Sequence, residues 1–230
     1  MVGIRRLAII FVLWAPLLVK VDAARKIPDG LLREYYPSFC QSAASPAPSC
    51  KFVIFREGRQ TTSIVLPFHL EWLAYSRNDR VLYTLSPSTK PVCVDRVDLN
   101  PVQLTTAVCP AGLTAVFAFA VSADAAQALI SGQIKENGNV RCGVFEIRIA
   151  DGEVRQVLSA EDCRTYNYER SWTSLSFAHD SSRALALRMN RLELFEIGKV
   201  GTRSIAAEVR MAEWSSDGRW IAAIDRHDKT

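Results

Sequence analysis

Little in this chain is helical. Beyond Lys51 almost no stretch spaces its apolar residues at the three-to-four interval of a helix. The strong catalytic signatures are missing as well. There is no Gly-x-Ser-x-Gly elbow, no phosphate-cradling glycine loop, no dinucleotide fingerprint and no His-Glu-x-x-His pair. No cofactor is expected. Histidine is scarce: His69, His179 and His227 lie far apart, and only His179 and His227 stand beside an Asp. A neighbouring His-Asp pair is too unspecific to mark a metal site, and a solvated turn accounts for it. Charge of one sign is also lacking, with 28 basic residues against 24 acidic. No basic run or interleaving of basic and aromatic residues points to nucleic acid.

The first residues carry the clearest positive signal. Arg5 and Arg6 precede an apolar run from Leu7 to Val19, followed by Val21-Asp22-Ala23. A basic start, a short apolar core and a small-residue site describe a secretory signal peptide, with cleavage expected after Ala23. The run is shorter than the roughly 20 residues of a spanning helix, so no membrane span is expected after cleavage. The pair Arg5-Arg6 lacks the flanking residues of a twin-arginine signal, and no Cys follows to take a lipid anchor. Losing residues 1–23 removes Arg5, Arg6, Lys20 and Asp22, leaving 25 basic and 23 acidic residues, a net +2. The expected address is the periplasm or the exterior.

The six cysteines agree with export, since all lie beyond the signal and an even count in an oxidising compartment reads as disulfides. Residues 24–51 are expected to precede the main domain, with one short helix over Pro28–Tyr36 and a Ser/Ala/Pro linker over Pro37–Ser49. The remainder, 52–230, is a series of short runs rich in Val, Ile, Leu, Phe and Thr between turn residues. That pattern suggests a sandwich, a barrel or a propeller.

An internal repeat separates these possibilities. Its clearest copy is Glu213-Trp214-Ser215-Ser216-Asp217-Gly218-Arg219-Trp220-Ile221-Ala222-Ala223-Ile224. Further copies run over Phe177–Leu187, Val121–Ile130 and Tyr75–Tyr83. Their aligned turn residues, Asn78, Asp124, Asp180 and Asp217, are separated by 46, 56 and 37 positions. These steps bracket the length of a four-stranded propeller blade. An aromatic ends one strand, Asp or Asn caps a tight turn, Gly218 supplies a positive φ, and a doubly buried strand runs back. Turn capping accounts for the repeated acids without a functional role.

The stretch from Trp214 to Ala222 resembles the repeat core of the TolB-like, or WD40-like, β-propellers of bacterial envelopes. The resemblance implies an all-β fold of four-stranded antiparallel blades. It implies an exported scaffold or binding module for a protein or glycan partner. It also leaves open the propeller part of a prolyl-oligopeptidase-like hydrolase cut short. The last copy stops after one hairpin. Either the chain is truncated within a blade, or the hairpin Phe52–Arg56/Ser63–Leu66, joined over Glu57–Gln60, completes a small four-bladed ring.

Further strands are expected over Val92–Leu99 and Val102–Val108, Gly143–Ala150 and Glu153–Leu158, and Arg191–Ile197 and Ser204–Val209. A turn centred near Pro101 sets Cys93 opposite Cys109. A turn at Asp151-Gly152 sets Cys142 opposite Glu161, with Cys163 two residues further on the same face. The expected pairs are therefore Cys93–Cys109 and Cys142–Cys163, leaving Cys40 with Cys50. One segment stands out as a surface: Arg164 to Trp172, between two blades, with Tyr166, Tyr168, Arg170 and Trp172. Tyr, Trp and Arg are enriched at binding hot spots, although the same aromatics could pack over blade edges. On the surface reading, truncating Tyr166 and Tyr168 together leaves folding intact.

Overall fold

The structure, a computed structural model, describes residues 30–32, 50–56, 59–66, 72–76, 81–85, 91–99, 102–199, 201–215 and 217–225. The first sheet joins β1 (Gly30–Leu32), β2 (Cys50–Arg56) and β3 (Arg59–Leu66), all antiparallel. Where Pro28–Tyr36 is described, it is therefore a strand and not a helix: Gly30 to Leu32 pair with Phe55 to Val53 of β2. A neighbouring strand edge overrides the weak local preference of so short a segment.

Three complete meanders follow. The first is β4 (Trp72–Ser76), β5 (Val81–Leu85), β6 (Val94–Leu99) and β7 (Val102–Val108). The second is β8 (Leu113–Val121), β9 (Gln127–Glu136), β10 (Asn139–Arg148) and β11 (Val154–Ser159). The third is β12 (Trp172–Phe177), β13 (Arg183–Arg188), β14 (Arg191–Glu196) and β15 (Arg203–Ala206). A last hairpin pairs β16 (Val209–Trp214) with β17 (Ile221–Asp225). Val209 thus opens β16 and does not extend β15.

The first strands β4, β8, β12 and β16 lie side by side, and each sheet stacks its face on the next. These are the blades of a β-propeller. Between the first and second, Tyr83, Leu85, Val92 and Val94 meet Ala128, Ile130, Phe145 and Ile147. Between the second and third, Leu129, Val144 and Val157 meet Trp172, Leu175, Phe177 and Ala184. The third covers the last sheet through Leu185, Leu187 and Leu192 against Val209, Ala212 and Trp214. Such stacking buries both faces of inner strands, so Ala128–Ile130 in β9 and Ala184–Leu187 in β13 read as continuous apolar runs. Among the described residues no ladder joins the β2–β3 hairpin to β17, so the four-bladed closure is not seen.

The repeat turn is built alike in separate blades. Ser122 Oγ donates to Asp124 Oδ1 at 2.6 Å, and Ala126 N donates to the same oxygen at 3.1 Å. In the last sheet Ser215 Oγ donates to Asp217 Oδ1 at 2.6 Å, and Arg219 N does so at 3.1 Å. In the third blade Ser182 N donates to Asp180 Oδ1 at 3.0 Å. The Ser122 and Ser215 hydroxyls, and for Asp180 the Ser182 side chain, hold these carboxyls below their ordinary value. The residue after each Asp has positive φ: Ala125 at 53°, Ser181 at 56° and Gly218 at 68°. The conformation therefore belongs to the turn, and glycine occupies it in one copy only. The Asn78 turn lies outside the described residues.

Each complete blade also carries a bulge at one equivalent place on its outer strand. Ala107 is the extra residue in the first, Val157 in the second and Ile205 in the third. The bulge decides where the cysteines fall. In the first blade it shifts the register by one, so that Val94 pairs with Val108 and Cys93 faces Cys109. Those two form a disulfide with a Cα–Cα distance of 4.1 Å. In the second blade the hairpin centres one position before Asp151-Gly152, with Ile147 paired to Val154. The bulge then moves the partner of Cys142 from Ser159 to Ala160, short of Glu161, and Ala160 N donates to Cys142 O at 3.0 Å. Cys163 then turns back beyond the strand to bond Cys142, at a Cα–Cα distance of 5.4 Å. Cys40, and its expected bond to Cys50, lie outside the described residues.

Candidate functional site

Within an antiparallel meander, the linker that leads into a blade and the hairpin between its second and third strands lie at the same end. At the junction of the second and third blades these are residues 160–171 and the Met189-Asn190 turn. Residues 160–171 are much the longest connection between blades, against 109–112 before and 207–208 after.

The segment is fastened to both blades. Cys163 is bonded to Cys142 of β10. Tyr166 turns inward: its side chain is 4% exposed, and its ring meets Phe117 edge-on at 5.4 Å and Trp172 at 6.1 Å. The Tyr166 hydroxyl lies 2.9 Å from Ser131 Oγ and donates to Gly143 O at 3.3 Å. Burial pushes this hydroxyl above its ordinary pKa, and the Ser131 hydrogen bond opposes the shift. Gln133 Nε2 donates to Tyr166 O at 3.1 Å. Gly143 has φ of 150°, and any Cβ there would collide with the Leu158 carbonyl oxygen. A glycine is needed for the sheet to close beneath the tyrosine.

On the far side, Asn167 caps a single 3-10 turn over Tyr168–Arg170, its Oδ1 accepting from Arg170 N at 3.1 Å. Arg188 Nε donates to Arg170 O at 3.0 Å while its guanidinium lies 4.6 Å above the Trp172 ring. Trp172 is 2% exposed and donates from Nε1 to Glu193 Oε2 at 2.8 Å. Each polar tip of the buried aromatics therefore has a partner.

The sequence reading put four residues of this segment at a surface, and the structure divides them. Tyr166 and Trp172 are buried packing residues, so of the two readings the sequence left for them the packing one holds and the binding-surface one does not. Tyr168, 62% exposed, and Arg170 are outside. The paired truncation of Tyr166 and Tyr168 must then disturb folding through Tyr166. The reason is spacing: in an extended chain residues two apart share a side, but the 3-10 turn reverses Tyr168 relative to Tyr166.

Between the segment and the Met189 turn lies a cleft of about 350 Å³, lined by Glu161, Asp162, Thr165, Arg170, Arg188 and Met189, with Tyr166 also in its wall. Two carboxylate residues and two guanidiniums share this small space with the exposed Met189. Sequence reasoning missed Glu161, Asp162, Arg188 and Met189. Met189 and Asn190 occupy a two-residue hairpin with φ of 47° and 63°, a place where Asn-Gly is the usual signal.

A second hollow, of about 190 Å³, lies along the first strands, bordered by Ala74, Phe119, Val121, Phe177, His179 and Glu213 among others. His179 is exposed there, in the turn after β12, as the sequence led one to expect. His69 and His227 lie outside the described residues. Among the described residues no three His, Cys, Asp or Glu side chains gather as a metal site would require, and no helix is long and apolar enough to cross a membrane.

No family model and no curated protein matches this chain. Solved structures do. TolB from Acinetobacter baumannii superposes with a TM-score of 0.54 at 15% identity, over 81% of this chain and 46% of that one. A putative TolB from Agrobacterium tumefaciens gives 0.50 at 17% identity, over 73% of this chain and 59% of its own. The chain thus spans about half the length of the structures it resembles. Such identities speak for the fold: a TolB-like β-propeller of four-stranded antiparallel blades.

Proposed function

We propose that this protein is an exported, non-catalytic binding module that receives a protein or glycan partner at the junction of its second and third blades. The observation that carries this reading is the cleft lined by Arg170, Arg188 and Met189, with the exposed Tyr168 two positions before Arg170 in the chain. Its walls are fixed by a disulfide, a buried tyrosine and a capped turn, while Tyr168 and Arg170 remain outside. A rigid aromatic next to a guanidinium binds at small entropic cost, because little freedom is lost on contact. Residues 1–23 act as the signal peptide, residues 24–51 lead into the propeller over 52–230, and the product works in the periplasm or outside the cell. The two cystines support an oxidising compartment.

The test is photo-crosslinking in the producing cells, with the crosslinker at Tyr168 or, as control, at the exposed Ser204 of the third blade, together with a glycan array for carbohydrate partners. We expect a discrete adduct or glycan at Tyr168 only. Tyr168→Ala and Arg170→Ala should each weaken that binding by tenfold or more, about 1.4 kcal/mol, without changing the melting temperature. Equal labelling at both positions, with no glycan bound, defeats the proposal.

A further inference from the structure

Opposite charges close on each other readily over most of this surface. Arg96 with Asp98, Arg141 with Glu136 and Arg148 with Asp151 each stand at 2.9 Å. The cleft at the second junction behaves otherwise. Glu161, Asp162, Arg170 and Arg188 all line it, yet none of the four belongs to an ion pair among the described residues. Each side is anchored where it stands. Arg188 Nε donates to Arg170 O at 3.0 Å, and its guanidinium lies 4.6 Å above the Trp172 ring. Moving Arg188 toward the acids would forfeit both contacts. On the other wall Asp162 Oδ1 accepts from Arg164 N at 2.9 Å, and the next residue, Cys163, is bonded to Cys142.

A cleft that holds opposite charges apart is complementary to a ligand carrying the reverse pair. The planar guanidiniums suit a carboxylate, with two N–H groups to offer it. The two acids accept from an ammonium or a guanidinium. A ligand of one sign alone meets repulsion from one wall. The rest of the lining selects the carrier. Met189, 62% exposed, offers an adaptable thioether of the kind enriched at protein interfaces, and no hydrogen bond to a sugar hydroxyl. The ring in the wall is Tyr166, only 4% exposed, so the cleft presents no open aromatic face on which a sugar could stack.

We propose that the cleft takes an acidic and a basic side chain standing close together on a protein partner. The acid lies on Arg170 and Arg188, and the base on Glu161 and Asp162. This rests on the reading of the junction as a binding site and narrows its partner to a protein segment of mixed charge. Specificity comes from the pair: the walls reward a ligand that brings both charges and penalise one that brings either alone.

The test titrates the full chain, isotope-labelled, with capped Gly/Ser peptides that differ only in a central Glu-Lys, Glu-Gln, Gln-Lys or Gln-Gln. A disaccharide of a uronic acid and an amino sugar serves as the glycan arm. The NMR signals of the Met189 methyl and the Trp172 indole N–H report on the cleft. We expect the Glu-Lys peptide to half-saturate them at a concentration at least tenfold below every other ligand. The double variant Glu161→Gln, Asp162→Asn should erase that advantage without unfolding the turn, because Asn keeps the oxygen that accepts from Arg164 N. Equal response to all peptides, preference for a singly charged one, tighter binding of the disaccharide, or silence of both signals each overturns the proposal. The wider reading is judged separately, by the crosslink at Tyr168. An adduct that survives the double variant leaves the junction a binding site and removes the charge pair from it. A selective Glu-Lys response with no adduct upholds the charge pair and sinks the wider reading.

Discussion

Two junctions of this propeller do the same job with very different means. Between the second and third blades the chain uses residues 160–171, a disulfide, a buried tyrosine and a capped 3-10 turn. Between the third blade and the last sheet it uses residues 207–208, with Glu208 at a φ of 58°. Yet Ala212 and Trp214 are buried as well as Leu175 and Phe177 are. The short connection shows that stacking needs no long linker, because the apolar faces supply the force. The extra chain at the first junction is thus free to shape a surface, and ordering it requires its own fastenings.

The largest effect expected from breaking this contrast is at Tyr166. Tyr166→Ala opens a cavity under the long linker and strips hydrogen-bond partners from Ser131 Oγ and the Gly143 carbonyl. The loss should be about 3–5 kcal/mol, as for other buried aromatics, read as the shift in a urea unfolding midpoint. A change below 1 kcal/mol would mean that the linker is not anchored through this ring. Next comes the covalent fastening. Cys142→Ser with Cys163→Ser opens a loop of 21-residue separation and should cost about 3 kcal/mol. It should also raise hydrogen exchange over 160–171 before it does so in β9 or β13; uniform exchange would place the bond's effect elsewhere. The smallest effect belongs to the other junction. Gly218→Ala keeps a φ of 68° and brings its Cβ within 3.2 Å of His179 Cβ. Ala125 tolerates such a φ, so the cost should be only about 1 kcal/mol, measured by the same denaturation. A cost like that of Tyr166→Ala would show that the short junction is as specialised as the long one.

Much of this was legible in the chain. The turn residues at Asp124, Asp180 and Asp217, the apolar strands behind them and the hairpin at Asp151-Gly152 carry local chemistry. A carboxylate that accepts backbone N–H bonds, and a strand buried on both faces, leave a direct trace in sequence. The candidate site was legible only in part. Residues 164–172 stood out by composition, but nothing in their order shows that Tyr166 faces Ser131 while Tyr168 faces water. Arg188 and Met189 come from the next blade, and sequence spacing gives no hint that they meet Glu161.

The sequence by itself determined the repeat, the blade architecture and the even set of cysteines, because these rest on short-range periodicity and turn chemistry. Only the tertiary structure decided the rest. The hairpin centre, one position before Asp151-Gly152, and an extra residue on the outer strand together put Ala160, not Glu161, opposite Cys142. Stacking of one sheet on another chose which aromatics are buried. Burial depends on what lies across the interface, and no residue carries that information alone.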